Sequence, residues 1–151
     1  MNDPNNLFLI DGSGYIFRAF YGLPSMSNND GVPVNAVFGY TKMLLKLIDD
    51  FKPIYVAVIF DVSRKTFRND LYNLYKANRS DPPDELIPQF SIIRDATNAI
   101  GLPVVEMEGY EADDLIATYS DIASKMNKNV IIVSSDKAVS YTHLRAHETV
   151  R

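Results

Sequence analysis

An α/β fold with a mainly parallel central sheet flanked by helices is what this sequence predicts, on three observations. Short apolar runs alternate with longer segments of helical period, the mark of βαβ units. Four of those runs lead into acids: Leu7-Phe8-Leu9-Ile10 into Asp11, and Val56-Ala57-Val58-Ile59-Phe60 into Asp61. Pro103-Val104-Val105 is followed by Glu111, Asp113 and Asp114, and Val130-Ile131-Ile132-Val133 by Asp136. The length of 151 residues, 46% of them hydrophobic, is enough for one domain with a substantial core.

After the first strand, Gly12-Ser13-Gly14 is expected to make a tight turn into a short helix over Tyr15–Phe20. Residues 21–35, rich in Pro, Gly, Asn and Ser, read as a loop. Val37, Tyr40, Leu44, Leu47 and Ile48 mark an amphipathic helix over about Ala36–Phe51, stopped by Lys52-Pro53 before the second strand. Residues 62–83 have no clean period. Leu86, Phe90, Ile93, Thr97 and Ile100 make the next helix, with Pro88 early enough to be tolerated and Gly101 ending it. A short third strand follows. Ala112, Ile116, Tyr119 and Ala123 line a helix expected over about Tyr110–Met126, and the fourth strand ends at Ser134-Ser135-Asp136.

Composition narrows the function classes. The chain has no cysteine, which removes disulfides and thiolate metal sites and suits a reducing compartment. Its start lacks the basic and apolar regions of a signal peptide, and no apolar run approaches the roughly 20 residues that span a bilayer. A cytoplasmic protein without membrane partners is expected. The net charge is −4, but its distribution is uneven. Arg64, Lys65, Arg68, Lys76 and Arg79 face a single acid, Asp70, within one stretch, and Tyr72 and Tyr75 are interleaved with them. The strip could be a solvated charged face, and the tyrosines could be packed. It equally suits a grip on phosphates with stacking on unpaired bases.

In an open parallel sheet, ligands bind at the carboxyl ends of the strands. The sequence therefore gathers Asp11, Asp61, Glu111, Asp113, Asp114 and Asp136 at one edge. Close carboxylates repel and raise each other's pKa unless a cation neutralises them. Oxygen-only donors favour Mg2+ or Mn2+ over zinc. Capping alone could explain acids in a helix's first turn, each favoured by roughly 0.3–1 kcal/mol. Three in four residues exceed that need, and Glu111 and Asp114 form a like-charged i,i+3 pair. Two ions about 4 Å apart, so held, would activate water and stabilise the leaving oxygen of a phosphodiester.

The same residues resemble a family. Leu7 through Phe20, Ala36-Val37-Phe38-Gly39-Tyr40, Phe60-Asp61, Thr66-Phe67-Arg68 and Tyr75-Lys76-Ala77-Asn78-Arg79 are similar to the 5′-nuclease domains of bacterial DNA polymerase I. Gly109-Tyr110-Glu111-Ala112-Asp113-Asp114 and Ser134-Ser135-Asp136-Lys137 continue the similarity in order. The resemblance implies a three-layer, PIN-like (resolvase-like) fold related to flap endonucleases. It implies a metal-dependent 5′-3′ exonuclease that removes 5′ flaps and RNA primers in DNA replication and repair. The six acids fall on the family's metal and catalytic positions, which take two Mg2+ or Mn2+ ions. Arg18 falls on a basic residue beside the scissile phosphate, and Arg68, Tyr75, Lys76 and Arg79 fall in an arch that engages the 5′ strand. A polymerase domain in cis and a monomeric state are further expectations.

The resemblance breaks off near residue 137. The family carries a second Asp where Ala138 stands, and the following residues to Arg151 lose its pattern. Residues 1–137 are thus expected to be the N-terminal portion of the exonuclease domain, its C-terminal part missing, and 138–151 a non-native tail. His143 and His147 in that tail are spaced i,i+4, but Leu144 stands where a zincin would carry Glu. With ligands missing, impaired catalysis is expected. Alternatives are a non-catalytic DNA-binding fragment and a PIN-type ribonuclease, which shares the acids but does not need the basic strip. A phosphoacceptor receiver domain would leave the Glu111–Asp114 helix start unexplained.

Overall fold

The computed structural model describes residues 3–62 and 82–135, and the backbone of 140–142. The strands are β1 (Asn6–Asp11), β2 (Tyr55–Ile59), β3 (Val104–Val105), β4 (Asn129–Val133) and β5 (Ser140–Thr142). They form one sheet in the order β3-β2-β1-β4-β5. The first four strands are parallel, with Leu9 opposite Ala57 on one side and Ile132 on the other. β5 runs antiparallel to β4, Tyr141 facing Ile131. The helices are α1 (Gly12–Gly22), α2 (Asn35–Phe51), α3 (Gln89–Ile100) and α4 (Ala112–Lys125).

Chain order explains the layers. Strands β1, β2 and β3 step outward in one direction, after which the chain returns to lay β4 on the far side of β1. Right-handed crossovers then put α1, α2 and α3 on one face and α4 on the other. The two-residue period of the strands supplies an apolar surface to each. Phe8, Ile10, Val58, Ile131 and Val133 pack with Tyr15, Ile16, Tyr40, Leu44 and Ile93. Leu9, Ile59 and Val130 pack with Leu115, Ile116 and Ala123 of α4. The expected helix–sheet–helix sandwich is what forms.

The first helix departs from expectation. Gly12-Ser13-Gly14 is not a turn but the first turn of α1, because the Asp11 side chain caps it by accepting the Gly14 N–H at 3.0 Å. The helix also runs on to Gly22, into the stretch read as loop. Gly12 has a packing reason to lack a side chain: a Cβ there would sit 2.6 Å from the Phe60 ring. That bare backbone lets the start of α1 lie against the end of β2.

Other boundaries are set by caps. Lys52 ends α2 in the left-handed region at φ 45°, and Gly101 ends α3 at φ 97°. Pro88 precedes α3, so Leu86 lies just outside that helix although it is fully buried. Gln89, also fully buried, joins α3 to α2. Its Nε2 donates to Asn35 Oδ1 at 2.9 Å, and its Oε1 accepts the Val37 N–H at 3.0 Å, satisfying an otherwise orphaned amide of α2.

Arg64, Lys65, Arg68, Tyr72, Tyr75, Lys76, Arg79, Asp136, His143 and His147 lie outside the residues whose side chains are described. Among the described residues no helix is long and apolar enough to cross a membrane.

Candidate active site at the sheet edge

The strand order reverses at β1, and a parallel sheet opens a crevice beyond its carboxyl ends at such a point. Asp11 closes β1 there. Its carboxylate is engaged with the first turn of α1, whose positive end favours a negative charge. Tyr15, one turn along, is buried behind it. Burial, and secondly the charge of Asp11, push the Tyr15 hydroxyl up to about 12.

Asp61 leaves β2 beside Asp11, and both of its backbone groups are held. Its N–H donates to Ser13 Oγ at 3.0 Å, and its carbonyl accepts from Arg94 Nη2 at 2.9 Å. Its carboxylate Oδ1 accepts the Ala112 N–H at 2.6 Å. Ala112 is the first residue of α4, so Asp61 joins the exit of β2 to the positive end of that helix.

The three acids opening α4 differ in their surroundings. Glu111, only 6% exposed, is the capping residue. Asp114 Oδ2 reaches back to the Glu111 N–H at 3.0 Å, one arm of a capping box. Asp113 is exposed. Capping is therefore real for Glu111 and Asp114, and it places a buried and a half-buried carboxylate at the same helix start. The exit of β4 arrives there too, since a Cβ on Gly14 would lie 2.6 Å from Asp11 Oδ2 and 3.2 Å from Ser135 Oγ. Asp136 follows Ser135 in sequence. Arg18 is exposed on α1, seven residues beyond Asp11 and thus on about the same helical face.

The donors are all oxygens, the chemistry of a hard divalent cation. Three strand exits bring Asp11, Asp61, Glu111 and Asp114 to one edge, tied by the Ser13 and Ala112 contacts. The donor set fits such an ion in kind. Among the described residues, no three acids are drawn together tightly enough to cage one. Sequence reasoning missed Ser13 and Arg94, whose partner Asp61 is 48 and 33 residues away. Only the hydroxyl within Asp11-Gly12-Ser13 gave a local hint.

Comparison with known proteins identifies the family and the fold. Residues 6–143 match the family described as 5′-3′ exonuclease, N-terminal resolvase-like domain. DNA polymerase I of Rhizobium leguminosarum is 55% identical over 145 residues, covering 91% of this chain and 14% of that protein. The 5′-3′ exonuclease of Bacillus subtilis is 41% identical over 137 residues, covering 88% of this chain and 46% of that one. The chain thus spans less than half the length of either relative. Among solved structures, the T5 D15 protein co-crystallised with metal ions superposes with a TM-score of 0.64 at 22% identity, over 86% of this chain and 49% of that one. T5 5′-exonuclease with bound divalent zinc ions gives a TM-score of 0.62 at 24% identity, over 85% and 48%. The chain belongs to the 5′-3′ exonuclease N-terminal resolvase-like domain family.

Proposed function

We propose that this chain is the N-terminal portion of a metal-dependent 5′-nuclease that hydrolyses phosphodiesters of 5′ flaps and RNA primers. One observation carries the reading. The acid leaving β2 is bonded through Oδ1 to the first amide of α4 at 2.6 Å, which ties the exit of β2 to the helix start that carries Glu111 and Asp114. Asp11, Asp61, Glu111, Asp113, Asp114 and Asp136 would hold the cations, Mg2+ or Mn2+, two in the complete site. When bound, such ions supply a lowered water pKa and charge stabilisation at the phosphate. Metal ions are bound in the T5 D15 structure, and a further T5 D15 structure is a complex with DNA and metal ions.

The chain's own residues do the remaining work. Asp61 and Glu111 are fixed by backbone contacts and burial, so that carboxylate geometry is set before a cation arrives. Arg18 binds phosphate from the exposed side of α1. Arg68, Lys76 and Arg79 hold the backbone of the 5′ strand, while Tyr72 and Tyr75 stack on its unpaired bases. Within the whole protein a polymerase domain lies in cis, as the relatives named DNA polymerase I suggest.

Residues 138–151 are proposed to be a non-native tail, with Ala138 in place of a further acid. Slow cutting is the expected consequence. That substitution also favours a second reading, a fragment that binds DNA without cleaving it. Cleavage of a 5′-flap DNA in Mg2+, with EDTA and Asp113→Ala controls, decides between them. Slow cutting abolished by both controls is expected. Flap binding without cutting would establish the second reading. Cutting of plain single-stranded RNA in preference to the flap would point to a PIN-type ribonuclease.

A further inference from the structure

Arg94 lies on α3, outside the acidic cluster, yet it touches the backbone of the most heavily anchored acid in it. Its guanidinium makes three contacts. Nη2 donates to the Asp61 carbonyl at 2.9 Å, Nε to Glu106 Oε2 at 2.7 Å, and Nη1 to the Phe90 carbonyl at 3.3 Å. The fourth surface is apolar, with the guanidinium carbon 4.7 Å from the centre of the Phe60 ring. Phe60 precedes Asp61, and its N–H is bonded to the Val105 carbonyl at 3.0 Å. One side chain thus joins α3, the exit of β2 and the residue that follows β3.

On the opposite side of Asp61, Ser13 Oγ accepts the backbone N–H. With both peptide groups held, the only freedom left to Asp61 is side-chain rotation, and the Ala112 N–H limits that. Two features favour positioning over general stabilisation. All three guanidinium nitrogens donate in a planar fork, which a lysine could not reproduce. The guanidinium charge is also balanced: Glu106 pairs with it, the two side chains being only 22% and 31% exposed. A balanced clamp does not set a bare positive charge beside a carboxylate meant for a cation.

We propose that Arg94, opposed by Ser13, is a positioning residue that presents the Asp61 carboxylate to a divalent cation. It acts through Asp61 and does not itself touch metal or DNA. The proposal rests on the metal-dependent reading above, and the test separates the two.

Mn2+ affinity of the full chain, read from the free-ion electron paramagnetic resonance signal, needs no catalysis. It is measured for the unaltered chain, for R94Q, R94K, S13A and D61N, and for R94Q and S13A in the D61N background. Support of an orienting kind typically alters metal affinity by about 10–100-fold. R94Q is expected to weaken Mn2+ binding about tenfold, R94K nearly as much, and S13A in the same direction. In the D61N background, R94Q and S13A are expected to change affinity by less than about twofold, because the carboxylate they act through is gone. Equal weakening in both backgrounds would make the clamp a general stabiliser and overturn the proposal. So would unchanged affinity in R94Q or R94K when D61N weakens binding. If R94Q fails to fold, R94K and S13A give the same decision. Unchanged affinity in D61N would instead overturn the assignment of Asp61 as a metal ligand, and the proposal with it.

Discussion

At the scale of residues, the informative groups are those buried with polar atoms. Tyr40 Oη and Thr97 Oγ1 are 2.6 Å apart in the core, and the threonine hydroxyl is also within 2.8 Å of the Ile93 carbonyl. Burial pushes Tyr40 up to about 12, against the opposing hydrogen bond with Thr97 and the charge of Arg94. Tyr15 is pushed up to about 12 as well, by burial first and Asp11 second. A phenol whose folded pKa lies above its unfolded value of 10.0 holds its proton more tightly in the folded state. Its contribution is complete below pH 10 and is lost as the pH climbs toward 12. Urea midpoints are therefore expected to fall steeply across that window, and a Tyr15→Phe, Tyr40→Phe double variant should flatten the fall. Gln89→Ala should cost roughly 2–4 kcal/mol in urea unfolding, because it strands the Val37 N–H and Asn35 Oδ1 in a dry interior. None of these partnerships was legible beforehand. Gln89 sits 52 residues from Val37, and an amide in a helical pattern carries no sign of a distant partner.

At the scale of elements, the alternation of apolar runs and amphipathic stretches was enough to place every described parallel strand and its flanking helices. The helix starts were less legible. Asp11 serves both as the strand's last residue and as the cap of α1, so the glycines that look like a turn become helix. At α4 a reading that weighed capping against metal binding posed a false choice, since Glu111 and Asp114 cap the helix while facing the edge. Asp114→Ala should therefore lose about 1 kcal/mol of stability through the cap, in addition to any loss of cation affinity. Asp114→Asn, which keeps an acceptor for the Glu111 N–H, should recover most of the stability without recovering the affinity. Thermal unfolding with and without Mn2+ separates the two contributions. Lys52 offers the reverse case. It holds a left-handed conformation at φ 45°, and Lys52→Gly should raise the urea midpoint by an amount worth up to about 1 kcal/mol.

At the scale of the whole molecule, topology does what no local motif can. Stepping out through β3 and returning to β4 on the far side of β1 produces two apolar faces and one crevice. The acids lie 50 residues apart in sequence, Asp11 to Asp61 and Asp61 to Glu111, yet come to one edge of the sheet because each follows a parallel strand. That part of the site was legible from the pattern. Its clamps were not, because they depend on which helix packs beside which strand exit. At the other edge, the β5 backbone covers β4 within the segment proposed to be foreign. A chain ended after residue 137 should therefore bare the β4 edge, and sedimentation should show self-association before any large change in thermal midpoint.

The carboxyl edge of the sheet is proposed to be a divalent-cation site. Paramagnetic broadening by Mn2+ tests it most directly, observed on the backbone amides of the intact chain by nuclear magnetic resonance. Broadening should centre on Asp11, Asp61, Ala112 and Asp114, be reversed by excess Mg2+, and weaken in D61N. Broadening spread over the scattered surface acids near Asp49 and Asp121, with those four amides unaffected, would contradict it.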